Sequence, residues 1–188
     1  MIFESYSWKQ DLIRRRYLIK KYNTQEQLDK NYDRATTIIE KAVFYSAFII
    51  RKLIDCILKV SDEVDNYTLK VHAVKPLKQM GLLDRWPDEN SHDWGNAQQQ
   101  TVLGKNVCNW LIHSYVFYFS YNENDVIDSF YVASDYDRNK ILYRIDLNDW
   151  LEYMYFVGTD CITSAECIYN PAKSNYLLKF KKRWNSLK

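Results

Sequence analysis

Glycine is scarce, with four among 188 residues against a usual share of about 7%. That shortage removes the glycine-rich phosphate loops and dinucleotide fingerprints, which need several glycines close together, and with them the common nucleotide-binding enzymes. Charge of one sign is also missing. The chain carries 26 Lys and Arg against 24 Asp and Glu, so it lacks the strongly basic footprint of an obligate nucleic-acid binder, and any charge-driven partner must meet a local patch. Cys56, Cys108, Cys161 and Cys167 form no C-x-x-C pair and have no histidine at metal-ligand spacing. They read as reduced cysteines of a cytoplasmic protein, with no metal and no cofactor expected. No run of the ~18 uncharged apolar residues needed to cross a bilayer occurs. Met1-Ile2-Phe3-Glu4-Ser5 is not the basic-then-apolar opening of a secretory signal,. G-x-S-x-G and H-E-x-x-H are absent, as are internal repeats, low-complexity tracts and linkers,.

What is present is apolar and aromatic: 47% hydrophobic residues, 16 Tyr and 6 Trp. This suffices for a proper core and predicts a single domain over residues 1–188,. The organising stretch is residues 25–60, opened by Thr24-x-x-Gln27 as a capping box,. Leu28, Tyr32, Ala35, Ile39, Ala42, Ser46, Ile49, Leu53, Cys56 and Val60 recur in steps of three and four and predict one seam on a central helix roughly 50 Å long,. Glu40, Lys41, Arg51, Lys52 and Asp55 interrupt it, so it is a core helix and not a membrane span,.

Ahead of it, residues 7–22 put Trp8, Leu12, Ile19 and Tyr22 on one helical stripe, with Arg14, Arg15, Arg16, Lys20 and Lys21 mostly opposite,. Tyr67, Leu69, Val71 and Ala73 alternate with polar residues and predict a strand ending before Pro76, with His72 on its polar face,. Periodicity then vanishes over residues 84–100, a loop carrying Trp86 and Trp94. Loops of that length usually bind something or are disordered. The two tryptophans either tuck onto the body or anchor a protein partner. Residues 103–115 predict a shorter helix with Val107, Trp110, Leu111 and Ser114 inward and a polar line of Asn106, Asn109 and His113,. Period-two patterns separated by polar turns over residues 116–147 predict an antiparallel meander,. Asn148 is a candidate cap for a helix over residues 149–157. The stripe of Leu177, Phe180, Trp184 and Leu187, set against Lys179, Lys182 and Arg183, predicts a basic amphipathic helix at the C-terminus,.

Residues 106–115 (Asn-Val-Cys-Asn-Trp-Leu-Ile-His-Ser-Tyr), 46–54 and 138–143 resemble segments of an uncharacterised bacterial family from mobile and defence-associated regions, a likeness spanning most of the chain. More distantly, a long helix followed by a shorter one bearing a histidine is similar to HEPN domains, helical bundles that are often ribonucleases. Their motif pairs an arginine with a histidine on one helix, so that the cation holds the scissile phosphate and the imidazole moves a proton. Here Asn106 stands where that arginine is expected relative to His113, and an uncharged amide cannot supply the same stabilisation. Arg85 and His92 have a suitable spacing, but Pro87 lies between them.

The expectation is an α+β protein. Residues 1–115 would be mainly helical around the central helix, residues 116–147 a small antiparallel meander, and residues 148–188 C-terminal helices. The function expected is a non-catalytic bacterial interaction protein of toxin-neutralising (immunity or antitoxin) or defence-accessory type, engaging a toxin or defence effector through Trp86 and Trp94. The alternative is a HEPN-like, metal-independent ribonuclease acting on RNA through His113, Asn109 and Asn106, with Lys105 or Arg51 brought near by the fold. Under the first reading His113 is instead a packed histidine bonded to Asn109 or to the sheet. Third is a structural protein that forms a homodimer through the long helix.

Overall fold

The computed structural model describes residues 2–81 and 86–184. Three helices open the chain: α1 (Ser5–Tyr22), α2 (Gln25–Lys30) and α3 (Tyr32–Asp55). Thr24 caps α2 through the Gln27 N–H, as the capping box predicts,. The seam, however, is not carried by one rod. Asn31 sits between α2 and α3 with φ −163° and ψ 89°, its N–H closing α2 on the Gln27 carbonyl while its side-chain oxygen accepts the Arg34 N–H. A short amide that satisfies the next helix's first turn lets the chain step out for one residue. Leu28, Ala35, Ile39, Ala42, Ser46, Ile49 and Leu53 stay buried across the step, whereas Tyr32 swings outward. The single polar residue of that seam, Ser46, donates to the Val43 carbonyl at 2.7 Å and accepts Trp150 Nε1 at 3.1 Å. Both buried polar groups are thereby satisfied.

After the short α4 (Asp62–Asp65) come β1 (Thr68–Val74), β2 (Gln98–Leu103), α5 (Gly104–Ile112), β3 (Ser114–Tyr121), β4 (Ile127–Ser134), β5 (Leu142–Asp146) and α6 (Leu147–Gly158). The sheet is wholly antiparallel with order β2-β1-β5-β4-β3. It is larger than a 116–147 meander, because β1 inserts beside β5 and the glutamine run, expected as loop, pairs with β1 as the edge strand β2. Its residues 98–101 are all exposed, which is why they carry no hydrophobic alternation,. The helices cover one face over a core that includes Phe130, Val132, Ile145, Trp150 and Met154. Residues from the 75–97 connection cover the other, where Met80 and Trp94 pack with Val116, Ala133 and Leu142. The cap of α6 is Asp146, which takes the N–H groups of Asn148 and Asp149, and not Asn148.

The C-terminal helix expected from the apolar stripe is a hairpin instead: β6 (Ile162–Asn170) pairs with β7 (Asn175–Arg183) across a turn that places Ser174 at φ 45°. Ile168 opposite Leu177 and Tyr169 opposite Tyr176 supply cross-strand pairs that a helix period cannot reveal,. Acidic residues of α4 hold β7 through two backbone N–H groups and one ammonium. The Lys181 N–H donates to Asp62 at 2.8 Å, its ammonium to Asp65 at 2.5 Å, and the Arg183 N–H to Glu63 at 3.3 Å. Leu187 lies outside the described residues. Among the described residues no helix is long and apolar enough to cross a membrane.

Candidate functional site

Helix α5 is held against the core by a close approach: a Cβ on Gly104 would stand 2.4 Å from the Tyr153 ring, so only glycine fits there,. Val107, Cys108 and Leu111 face inward, and burial pushes the Cys108 thiol well above the ordinary range, which makes it inert,. Its polar line runs along the edge of the fold. Asn106 is half-buried, and Asn109 Oδ1 accepts Arg51 Nε from α3 at 2.8 Å. Arg51 is also ion-paired to Asp55 within its own helix. The fold therefore brings Arg51, and not Lys105, to the polar line by a hydrogen bond.

His113 is placed differently from the packed imidazole expected. The helix stops at Ile112, His113 is its C-cap, and the side chain is exposed. Its backbone is fixed at both ends, the N–H donating to the Asn109 carbonyl and the carbonyl accepting the Asp135 N–H, each at 3.0 Å. Asn109, the partner expected for the ring, has its oxygen taken by Arg51. Ser114 and Tyr115 already belong to β3, so the inward position assigned to Ser114 on the helix does not exist.

A groove of about 400 Å³ adjoins His113, lined also by Asn109, Trp110, Ser134, Asp135, Tyr136 and Asp137. Trp110 stacks on Tyr143 at 3.7 Å and forms one wall. Two carboxylates line the groove, one of them paired with Arg138 at 3.5 Å, so its field opposes a phosphodiester,.

The two tryptophans part company. Trp86 is 76% exposed. Trp94 is half-buried, its Nε1 donating to the Asp88 carbonyl at 3.3 Å and its ring edge-on to Tyr131 at 5.7 Å. Between them lies His92, which is 1% exposed although its stretch has no hydrophobic periodicity. Its intended partner in the HEPN-type spacing, Arg85, lies outside the described residues. Ser91 Oγ donates to the Asp88 carbonyl at 2.6 Å and lies 2.8 Å from His92 Nδ1, which is therefore the protonated nitrogen,. Nε2 is buried and has no hydrogen-bond partner among the described residues. Burial lowers the pKa of His92, with Lys78 adding to the effect and Asp88 opposing it.

A measurable pH dependence follows. A histidine that is neutral when folded but free to charge when unfolded makes stability fall as the pH drops below the unfolded value of about 6.5. Lowering the pH from about 7.5 to about 5.5, the range in which histidine changes charge, should lower the melting temperature. His92→Asn, which keeps a donor near the Nδ1 position, should flatten that slope. A wild-type melting temperature constant over this range would refute the assignment.

Neither His113 nor His92 belongs to a cluster of three or more His, Cys, Asp or Glu able to hold a metal among the described residues. No family model, curated protein or solved structure matches the chain.

Proposed function

We propose that the chain is a non-catalytic interaction protein, of the toxin-neutralising or defence-accessory kind that the family resemblance implies, and that its partner is a protein. The observation that carries this reading is the β6–β7 hairpin. Every residue of 163–169 and 171–179 is exposed, so both faces of the two-stranded ribbon are open along most of its length. Isolated hairpins are marginal in water, yet this one displays Ile168, Tyr169, Tyr176, Leu177 and Leu178 at 36–66% exposure. Apolar surface of that kind is characteristic of a docking element. Trp86 is the second anchor, with Trp94 holding its loop against the sheet. Aromatic anchors of this type commonly cost 2 kcal/mol or more on truncation.

The test is co-expression with the product of the neighbouring gene, followed by affinity measurement on the purified pair. Wild type should form a complex and relieve the neighbour's toxicity. Leu177→Lys and Trp86→Ala should each keep the wild-type melting temperature and weaken binding by roughly 30-fold. Trp94→Ala should lower the melting temperature. A neighbour that is harmless and does not bind would remove the toxin-neutralising reading.

The ribonuclease reading has one observation in its favour, the guanidinium of Arg51 hydrogen-bonded to Asn109 one turn before His113. Against it stand Asp55 on that guanidinium and the carboxylates of Asp135 and Asp137 in the groove. The same purified protein decides it. Metal-independent cleavage of single-stranded RNA that disappears in His113→Ala would promote this reading, since general acid–base assistance is worth about 10²- to 10⁴-fold.

A further inference from the structure

The corner where α1, α2 and α3 meet forms an open pocket of about 410 Å³. Among the described residues its lining is Lys21, Tyr22, Gln27, Lys30, Asn31, Arg34 and Ala35: three cations, two amides, a phenol and no carboxylate. We propose that this cavity binds the phosphate group of a small phosphorylated molecule of nucleotide size.

Among the described residues, ten cations elsewhere in the chain are ion-paired, while others, such as Arg14 and Lys20, stand singly on the surface. Lys9, Arg15, Arg16, Arg51, Lys78, Arg138, Arg144, Lys179, Lys181 and Arg183 each meet a carboxylate. Among the described residues no carboxylate pairs with Lys21, Lys30 or Arg34; the Lys21 ammonium lies only over the Tyr22 ring at 5.7 Å. In a chain of net charge +2, gathering three unpaired cations around one concavity costs mutual repulsion, which an anion relieves. Acidic residues of the same helices, Glu26, Asp29 and Asp33, are exposed and do not line the cavity.

The amides reinforce the sign. The side-chain oxygen of Asn31 is taken by the Arg34 N–H at 3.0 Å, which leaves its NH₂ as the group to offer a ligand,. Arg34 supplies the planar fork suited to two phosphate oxygens, and the lysines supply point charges. The kink at Asn31 creates the concavity, since an unbroken helix would carry residues 25–55 past this corner. A pocket of this volume falls in the range of small-ligand sites. The cradle is built from side chains, so it needs none of the glycines whose scarcity excludes backbone phosphate loops.

Calorimetric titration of the full chain with ATP at low salt, with excess inorganic phosphate as competitor, tests the proposal. ATP should bind, and phosphate should displace it. Lys30→Gln and Arg34→Gln should each lose affinity by at least about ten-fold, the effect of one charge-assisted hydrogen bond. Arg34→Lys should retain part of it, and Arg14→Gln, an exposed cation outside the cavity, should match wild type. Because Arg14, Lys30 and Arg34 are all exposed, melting curves of the variants should coincide with wild type. A third arm uses a single-stranded RNA lacking terminal phosphates. RNA binding without ATP binding would overturn the proposal in favour of a nucleic-acid backbone. So would ATP binding that survives the cavity substitutions, or no binding of any probe.

Discussion

Ile49→Asp is expected to abolish cooperative folding. Ile49 is 3% exposed on α3, in the same core as Ile50, Leu53, Val107 and Leu111. An unpaired carboxylate there carries a desolvation cost of several kcal/mol, against a whole-domain stability of roughly 5 to 15 kcal/mol. The lost side-chain burial adds about 1.5 to 3 kcal/mol. Helix propensity is removed from the comparison by Tyr45→Asp on the same helix, where the side chain is 53% exposed and its ring lies 4.9 Å from the Arg15 guanidinium. That control should shift the melting temperature by a few degrees at most, because exposed substitutions typically fall within about 0.5 to 1 kcal/mol. A soluble Ile49→Asp protein that melts like wild type would show that the core is not on this helix.

The second large effect is expected at Asp160. Its side chain is fully buried and ties four segments together: it accepts the Ser61 N–H at 2.9 Å and the Ser61 hydroxyl at 2.7 Å, and lies 3.6 Å from Lys9 Nζ and 3.9 Å from Arg183 Nε. The Lys9 ammonium also donates to the Asp160 carbonyl at 2.8 Å. Burial lowers the Lys9 pKa, and the Asp160 carboxylate is the main opposing influence. Asp160→Ala therefore leaves a buried ammonium without its counter-charge and two buried donors on Ser61 unsatisfied. Breaking such a pair costs about 3 to 5 kcal/mol. Adding Lys9→Met should recover part of the loss, because the stranded charge is then gone and the aliphatic stem is replaced in kind. Urea denaturation of the two single variants and the double variant measures this directly. An Asp160→Ala protein within about 1 kcal/mol of wild type, or a double variant no more stable than it, would refute the account.

The seam of α3 was legible from sequence because its period of 3.6 is a property of neighbouring residues, and burial of Ile39, Ile49 and Leu53 follows from that period alone,. The meander was legible for the same reason at period two, and so was β1. The step at Asn31 was not, since the hydrophobic repeat continues through it while the backbone is redirected by one amide side chain. The edge strand β2 was hidden by exposure: residues 98–101 bury nothing, and only the neighbouring β1 makes them a strand. The stripe of Leu177, Phe180 and Trp184 fits a helix as well as a strand. The choice fell to partners far away, β6 across the hairpin and the acidic α4 some 120 residues earlier in the chain, at Lys181 to Asp62.

The candidate site divides the same way. Sequence marked out His113, Asn109 and Asn106 as one polar line and Trp86 and Trp94 as two anchors in a polar stretch. Tertiary structure decided which of them face solvent, turning the imidazole of His113 outward and that of His92 inward. The Lys9–Asp160 pair and the cationic corner at Lys21, Lys30 and Arg34 had no local signal at all. The first joins residues 151 apart, and the second appears only once three helices turn at Asn23 and Asn31. Periodic burial is encoded residue by residue along the chain. Charge pairing and concavity arise from which segments the packed core brings side by side.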